Sequence, residues 1–265
     1  MTALATAPAD TRTAVHPHLN FARVLRSEWI KVTTVRSTWW SLLITAVLSI
    51  GLSLLIAGVS NSVPGGVPPV RAIVSPMQFT MLVAGILGAI VVTGEYSTGM
   101  IRSTLTAEPR RDVVILAKAV VVAVLLALTT IVIYAVAIVV TAPILHTQID
   151  WSTPRESIVP LVFGVVSMVA FALIGLGFGF LIRNGAGAIA TTVGVLFVLP
   201  LVFSLFSLAG DGWHWLVDLA QYLPSNAAQN LTSTTADLWP AWLALLVWVL
   251  VPLVGGWVTL RTRDA

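Results

Sequence analysis

Residues 119–149 have the sequence AVVVAVLLALTTIVIYAVAIVVTAPILHTQI, which contains no Asp, Glu, Lys or Arg. A helix needs about 20 apolar residues to cross the hydrocarbon core of a bilayer. Five further uncharged stretches reach that length: 37–70, 72–94, 157–182, 184–210 and 238–260. The first of them also contains a turn-rich segment, so we expect its helix to end near Gly58. The sequence therefore predicts six transmembrane helices.

The composition of the whole chain supports this prediction. Of its 265 residues, 57% are apolar and 9% are charged, against roughly 25% charged residues in soluble proteins. So few charged side chains cannot keep a folded surface of this size dispersed in water. The absence of cysteine excludes disulfides, thiolate metal sites and thiol nucleophiles. The net charge of +3 is small and scattered, which excludes a nucleic-acid partner. We predict an all-α integral membrane protein.

Lys and Arg are distributed unequally between the two sides of the predicted bundle. The side that holds the N-terminus has Arg12, Arg23, Arg26, Lys31, Arg36, Arg102, Arg110, Arg111, Lys118, Arg183, Arg261 and Arg263. The other side has Arg71 and Arg155, and its last loop carries Asp211, Asp218 and Asp237. Because basic residues concentrate on the cytoplasmic side, we expect a multi-pass protein of the cell membrane with both termini in the cytoplasm. The acidic outer loop agrees with the same rule. It is also compatible with a cationic substrate that leaves the protein on this side.

The chain divides into three predicted parts. Residues 1–20 have no periodic pattern and predict a flexible cytoplasmic tail, without the apolar core of a signal peptide. Residues 21–36 predict an interfacial helix, and residues 37–265 a six-span transmembrane domain. Within that domain, the apolar side chains between residues 211 and 237 predict one or two short helices that re-enter the outer leaflet.

The sequence lacks the machinery of several enzyme and carrier classes. It has no phosphate-binding Gly-x-x-x-x-Gly-Lys-Ser/Thr loop, no Gly-x-Ser-x-Gly elbow and no His-Glu-x-x-His metal site. We therefore predict no catalytic residue and no metal ligand. An ion-coupled carrier usually has an ionisable residue near the membrane midplane, whereas Glu95, Lys118 and Arg183 are placed at the inner edges of the uncharged stretches. If the protein transports, we expect its energy to come from another subunit.

The segment from Phe21 to Thr34 has the pattern of a basic amphipathic helix. Its apolar stripe comprises Phe21, Val24, Leu25, Trp29 and Val32, and its polar face carries Arg23, Arg26 and Ser27, with Lys31 on the border. Such a helix lies in the headgroup plane of the membrane and serves in the simplest case as a surface anchor.

Glu28 interrupts this apolar stripe. A carboxylate there needs a partner, because its desolvation costs several kcal/mol. Our first expectation for this partner is Arg102 of the loop after the second span. A local bond to Lys31, three residues further on, is the alternative.

The longest predicted cytoplasmic connection follows the second span. Met100, Ile101, Thr104 and Leu105 share one helical face, so a short helix fits between Gly99 and Ala107. Pro109 would end this helix and open the third span, where its missing N–H costs nothing. Such a helix could dock onto a cytosolic partner or serve as a plain connector.

Three segments resemble the permeases of actinobacterial ABC-2-type transporters. The first is Ser27-Glu28-Trp29-Ile30-Lys31 with Arg36-Ser37-Thr38-Trp39-Trp40-Ser41-Leu42. The second is the loop with Gly94-Glu95-Tyr96, Gly99, Ile101-Arg102, Thr104-Leu105, Pro109-Arg110-Arg111 and Lys118. The third is Leu223-Pro224-Ser225-Asn226-Ala227 before the last span. The chain departs from the family at Ser97-Thr98, where relatives often carry Arg-His.

The resemblance implies roles for two of these segments. In such permeases the first segment is an elbow helix, with Arg26, Glu28, Trp29, Lys31 and Arg36 in this chain. The loop is a coupling helix that sits in a cleft of a separate ATP-binding subunit. The positions carried over to that contact are Glu95, Tyr96, Gly99, Met100, Ile101, Arg102, Leu105, Pro109, Arg110 and Arg111. Glu95 would brace the loop at its membrane end.

Glycines and prolines predict how the spans pack. Gly175 and Gly179 in the fourth span and Gly187 in the fifth are small residues at spacings that favour close helix packing over a substrate route. The turn Arg183-Asn184 makes these two spans antiparallel neighbours. Pro200 and Pro252 are expected to distort their helices about one turn earlier.

Taken with the resemblance, these features predict the permease subunit of an ATP-driven ABC exporter of ABC-2 type. It would form half of a pathway with a second copy or a related permease, in a lipid bilayer. ATP and Mg²⁺ would bind the partner ATPase, and this chain would hold no cofactor. The alternatives are a membrane scaffold or sensor that transports nothing, and an ion-coupled secondary carrier.

Overall fold

The structure, a computed structural model, describes residues 20–60, 62, 66–145, 149–208 and 211–262. Apart from Asn20, the predicted tail lies outside the described residues, as do Arg12 and Arg263. Within the described ranges every regular element is helical, and no strand occurs.

Six helices of the described chain are long and apolar enough to cross a membrane. They are α2 (Arg36–Ser60), α3 (Pro69–Val74) with α4 (Met77–Ser97), α6 (Arg111–Thr141), α7 (Ile158–Ile182), the span Gly185–Leu208 and α12 (Leu238–Thr262). The fifth span begins with α8 (Gly185–Val193) and ends with α9 (Leu199–Leu205) and one further turn. The six predicted spans are confirmed, and they indicate a multi-pass membrane protein.

Four shorter α-helices in the described part of the chain lie outside these spans. They are α1 (Phe21–Thr34), α5 (Met100–Ala107), α10 (His214–Ala220) and α11 (Pro224–Leu231). The last two occupy the segment in which short outer helices were predicted. Helix α11 packs against α12 and α7, and the Trp248 indole N–H donates to the carbonyl oxygen of Tyr222 at 2.9 Å. Their depth in a bilayer stays a prediction.

The third span departs from its predicted bounds. Helix α6 begins at Arg111, eight residues before the uncharged stretch 119–149 begins, and ends at Thr141, just before Pro143. Lys118 therefore lies two turns inside the helix, and its position at the inner edge of the membrane stays a prediction. Pro109 does not open α6, because it lies in the short connection between α5 and α6. The early start is possible because the Lys118 ammonium finds acidic partners inside the protein.

The closest helix contact in the bundle joins α4 and α7. A Cβ atom added to Gly88 would lie 1.9 Å from the carbonyl oxygen of Ala172, and one added to Gly175 would lie 1.9 Å from that of Gly85. Only glycine allows the two backbones to approach so closely. We call Gly85, Gly88, Ala172 and Gly175 the glycine seam.

The other predicted packing glycines have different neighbours. A Cβ on Gly179 would lie 2.9 Å from that of Val92 on α4, while one on Gly187 would lie 2.9 Å from Ile182 at the end of α7. Helix α7 thus packs along α4 and also against α12, α6 and α8. It is the central helix of the bundle.

The fifth span is distorted just before Pro200. Residues Gly194–Val198 form a π-helical turn, in which the Leu199 N–H donates to the carbonyl oxygen of Gly194. The distortion lies about one turn before the proline, where it was predicted, because the missing N–H of Pro200 removes a helical hydrogen bond. Pro252, in contrast, lies inside a helix that is continuous from Leu238 to Thr262.

Several helix ends meet at one end of the bundle, which we call the basic end. Arg183 at the α7–α8 turn donates to the Thr259 carbonyl oxygen near the end of α12 at 2.6 Å. Arg111 at the start of α6 donates to the carbonyl oxygen of Leu260. Helices α1 and α5 lie at this same end, against α6 and the end of α4.

Candidate functional site

Helix α1 packs against α6 through one side. Its buried residues are Val24, Glu28 and Val32, spaced four apart on one face, while Arg26 and Trp29 are exposed. Val24 and Val32 of the predicted apolar stripe thus contact the protein on either side of Glu28, whereas Phe21 and Trp29 of that stripe are exposed. The sequence places an acidic group where α1 meets α6.

Glu28 belongs to a group of four charged side chains that we call the charge cluster: Glu28 and Lys31 of α1, Glu95 of α4 and Lys118 of α6. Lys118 Nζ lies 2.5 Å from Glu28 Oε2 and 2.9 Å from Glu95 Oε1. Lys31 Nζ lies 2.7 Å from Glu28 Oε1 and 3.0 Å from the same Glu95 Oε1. Two carboxylates and two ammonium groups alternate, so the cluster has no net charge.

The cluster is deeply buried. Lys118 and Glu28 are each 1% exposed and Glu95 is 5% exposed, while the Lys31 side chain keeps 25% of its surface accessible. An ion taken out of water costs several kcal/mol unless it is paired and hydrogen-bonded. Each of the four side chains contacts two side chains of opposite charge. The cluster is therefore stable as a set, although none of its members would be stable if it were buried alone.

Charge pairing also sets the protonation of the α1 members. Burial raises the pKa of the Glu28 carboxyl, but the ammonium groups of Lys118 and Lys31 together lower that pKa below its ordinary value of 4.5. Burial lowers the pKa of Lys31, but the carboxylates of Glu28 and Glu95 raise it above its ordinary value of 10.5. Both groups are therefore charged across the physiological range.

Of the two partners predicted for Glu28, the local one, Lys31, is present. The long-range cation bonded to Glu28 is Lys118 of α6, whereas the sequence favoured Arg102. Arg102 lies on the exposed side of α5, where it has an interaction of its own. Lys118 reaches Glu28 because α1 lies along the first turns of α6.

A hydrogen bond attaches helix α5 to the cluster. The Lys31 ammonium donates to the Thr104 hydroxyl oxygen at 3.1 Å. Ile101 is 2% exposed and anchors the helix, while Met100 is 43% exposed. Gly99 precedes the helix with a φ of 73°, a left-handed conformation that favours glycine. The residue thus permits the sharp turn from α4 into α5.

The remaining residues carried over from the family loop lie around α5. Leu105 and Tyr96 are half-buried, and Pro109 and Arg110 are exposed. The guanidinium of Arg110 bonds Glu108, with Nε 2.9 Å from Oε1. Arg183 of the α7–α8 turn lies 5.4 Å from the centre of the Tyr96 ring. Of the elbow residues, Arg36 is the exposed first residue of α2.

A second, exposed group of charges ties the start of α6 to the end of α12. The Asp112 carboxylate accepts from Arg261 at 2.6 Å and from the indole N–H of Trp257 at 2.6 Å. The Arg261 guanidinium also lies 4.1 Å from the centre of the Trp257 ring. These contacts lie at the basic end, on the exposed surface of the bundle.

Two members of the site were not recognised in the sequence as its members. Lys118 has a usable signal, because it falls on the same helical face as the buried Val114, Val121 and Leu125. Thr104 was noted only as part of an amphipathic face. No signal within the sequence connects Thr104 to Lys31, since that contact joins residues 73 positions apart.

The chemistry available at this site is electrostatic. In the described part of the chain no three His, Asp or Glu residues come together in a group that could hold a metal ion. The charge cluster instead links four helices, α1, α4, α5 and α6, through buried ion pairs and one hydroxyl. Such a link holds elements in fixed relative positions.

Comparison with protein-family models finds none that matches this chain, and comparison with curated proteins finds no match either.

Proposed function

We propose that this protein is the membrane-spanning subunit of an ATP-driven exporter, coupled to a separate ATPase through α5. In this proposal the basic end faces the cytoplasm and α1 is the elbow helix. A second copy or a related permease would complete the pathway. ATP and Mg²⁺ bind the partner ATPase, and α5 occupies a cleft on its surface.

The observation that carries this proposal is the attachment of an exposed short helix to a buried charge cluster. Met100 and Arg102 present apolar and basic groups outward, and Thr104 on the same helix accepts a hydrogen bond from Lys31. A load applied to α5 therefore reaches α1 through Lys31. It reaches α4 and α6 through Glu95 and Lys118.

Rigid transmission is what an energy-coupling element requires. A surface salt bridge would yield to a load, because solvent screens it and offers new partners. The buried pairs between Lys118 and its two carboxylates cannot exchange with water in the same way. Motion of α5 would thus move the ends of spans two and three together.

Copurification tests the proposal directly. The full chain is isolated from native membranes under mild detergent, its associated proteins are identified, and ATP hydrolysis by the complex is measured. We expect an ATP-binding protein to copurify and Arg102→Glu to abolish its association. Arg26→Glu, at another exposed arginine, on α1, is the matched control and should leave association intact. Equal loss in both variants, or no associated ATPase at all, would contradict the proposal.

The ion-coupled carrier is the second candidate, because Glu95 and Lys118 are ionisable groups buried within spans. Intramembrane charges of this kind often mark ion pathways. Transport in sealed vesicles separates the two functions. An exporter stops when ATP is withheld, whereas a carrier continues without ATP and stops when the ion gradient is collapsed. A scaffold or sensor would move no substrate under either condition.

A further inference from the structure

A cavity of about 300 Å³ adjoins the charge cluster, between α1, the start of α2, α4 and α5. This volume is at the lower end of the range of small-molecule pockets. Most of its wall is apolar, formed by Val32, Val35, Leu87, Ile90, Val91 and Met100. The space is suited to a short hydrocarbon chain.

The polar part of the wall contains Lys31, Glu95 and Lys118. Glu95 Oε1 accepts hydrogen bonds from both lysines at 3.0 and 2.9 Å. Its other oxygen, Oε2, is buried and accepts no hydrogen bond from any described residue. A buried carboxylate oxygen without a donor is costly, so the cluster has one unused acceptor beside an apolar cavity.

We propose that this cavity binds an uncharged amphiphile from the bilayer, whose hydroxyl head donates to Glu95 Oε2 and whose chain fills the apolar part. The terminal torsion of a glutamate has a broad energy minimum, so a modest rotation turns Oε2 toward an incoming donor. The hydroxyl group satisfies the acceptor without altering the balance of two carboxylates against two ammonium groups.

The charge of the cluster excludes the other head groups. An ammonium head would add a third cation to a cluster whose two carboxylates are already balanced by two lysines. A carboxylate or phosphate head would approach Glu95, whose charge repels it, while both lysines of the wall are already engaged by carboxylates. This site does not depend on the proposed exporter function.

Photolabelling tests the site. The full chain is reconstituted in phosphatidylcholine nanodiscs and labelled with decan-1-ol that carries a diazirine on its chain, and modified peptides are mapped by mass spectrometry. We expect labelling of the wall residues of α4 and α5 that unlabelled decan-1-ol competes away. The matching diazirine probes made from decane, decylammonium and decanoate should label these peptides about tenfold less, because each lacks the neutral donor.

Two glycines provide matched variants. A Cβ added to Gly94, which lines the cavity, meets no atom within 4 Å, and the same is true of Gly51 in α2, which is not among the cavity-lining residues. Gly94→Leu should fill the cavity and remove the competed labelling, whereas Gly51→Leu should retain it. Unchanged labelling of Gly94→Leu would overturn the proposal. Equal or stronger labelling by any of the three other probes would also overturn it. That comparison needs only the original chain, so it does not depend on how the variants fold.

Discussion

The glycine seam and the charge cluster are both buried helix contacts, yet opposite chemistry stabilises them. In the seam, α4 and α7 meet backbone to backbone, and an added methyl group would lie 1.9 Å from a carbonyl oxygen. In the cluster, four long side chains fill the space between helices and balance each other's charge. The seam tolerates no added volume, whereas the cluster tolerates no unpaired charge.

This difference matters because the two contacts lie at different positions along α4 (Met77–Ser97). The middle of the helix, with Gly85 and Gly88, is fixed to the centre of the bundle. The C-terminal end, with Glu95, connects the same helix to α1 and α6. Helix α4 therefore joins a rigid core to a polar link at the basic end, so displacement of the link is resisted by the seam.

Removing one cation from the cluster should have the largest effect on stability. Lys118→Met leaves Glu28 and Glu95 buried with Lys31 as their remaining ammonium, and we expect a loss of about 3 kcal/mol in the free energy of unfolding. Thermal unfolding in detergent measures it. Leu116→Met on the exposed side of α6 is the matched control and should change little.

A double-mutant cycle sharpens this prediction. Glu28→Gln in the Lys118→Met background should recover part of the lost stability, because it removes one of the uncompensated carboxylates. If the two substitutions act additively, or Lys118→Met is as stable as the original chain, the cluster does not stabilise the fold as described.

Adding one methyl group to the seam should have the next largest effect. Gly175→Ala forces the new Cβ away from the Gly85 carbonyl oxygen, and α4 and α7 must separate, at a cost of about 2 kcal/mol. Gly51→Ala is the matched control, because a Cβ there meets no atom within 4 Å. The free energy of unfolding of both variants is measured in the same detergent, and equal values would contradict the close contact between α4 and α7.

The sequence predicted the spans because the cost of burying unpaired charges acts on each stretch separately. The uncharged stretch nevertheless misses the first two turns of α6, for the same physical reason. Lys118 bounds the stretch on its N-terminal side, but its charge is cancelled by carboxylates from two other helices. Pairing of that kind depends on how the helices are arranged, and no local pattern contains it.

The candidate site was also predicted only in part. The position of Glu28 within an apolar stripe showed that it needed a partner, and Lys31 was within reach as a neighbour in sequence. The expected bond to Arg102 would require α5 to present its basic side to α1. The structure instead directs Thr104 toward Lys31, because burial of Ile101 fixes the rotation of the short helix.

Acidification should weaken the cluster by a moderate amount. The pKa of Glu28 is lowered in the folded protein, since the lysine ammonium groups outweigh burial. Its ionised form therefore stabilises the fold above its ordinary pKa of 4.5, and this contribution is lost as the pH falls below that value. We expect Tm to fall between about pH 5 and about pH 3 more steeply in the original chain than in Glu28→Gln. Parallel curves for the two would show that other carboxylates control acid stability.

The smallest effect is expected at the exposed charges around Asp112, which differ from the cluster chiefly in their access to solvent. Asp112 and Arg261 make a short contact of 2.6 Å, yet their side chains are 53% and 49% exposed. Water and salt compete with such a pair, so its geometry contributes little to stability. Asp112→Asn should therefore lower Tm less than Gly175→Ala does, and the difference from the original chain should vanish at about 1 M salt. The Lys118→Met deficit should persist at that salt concentration, because the buried ions are not screened. If Asp112→Asn proved as damaging as Lys118→Met, then contact distance rather than burial would govern the strength of ion pairs in this protein.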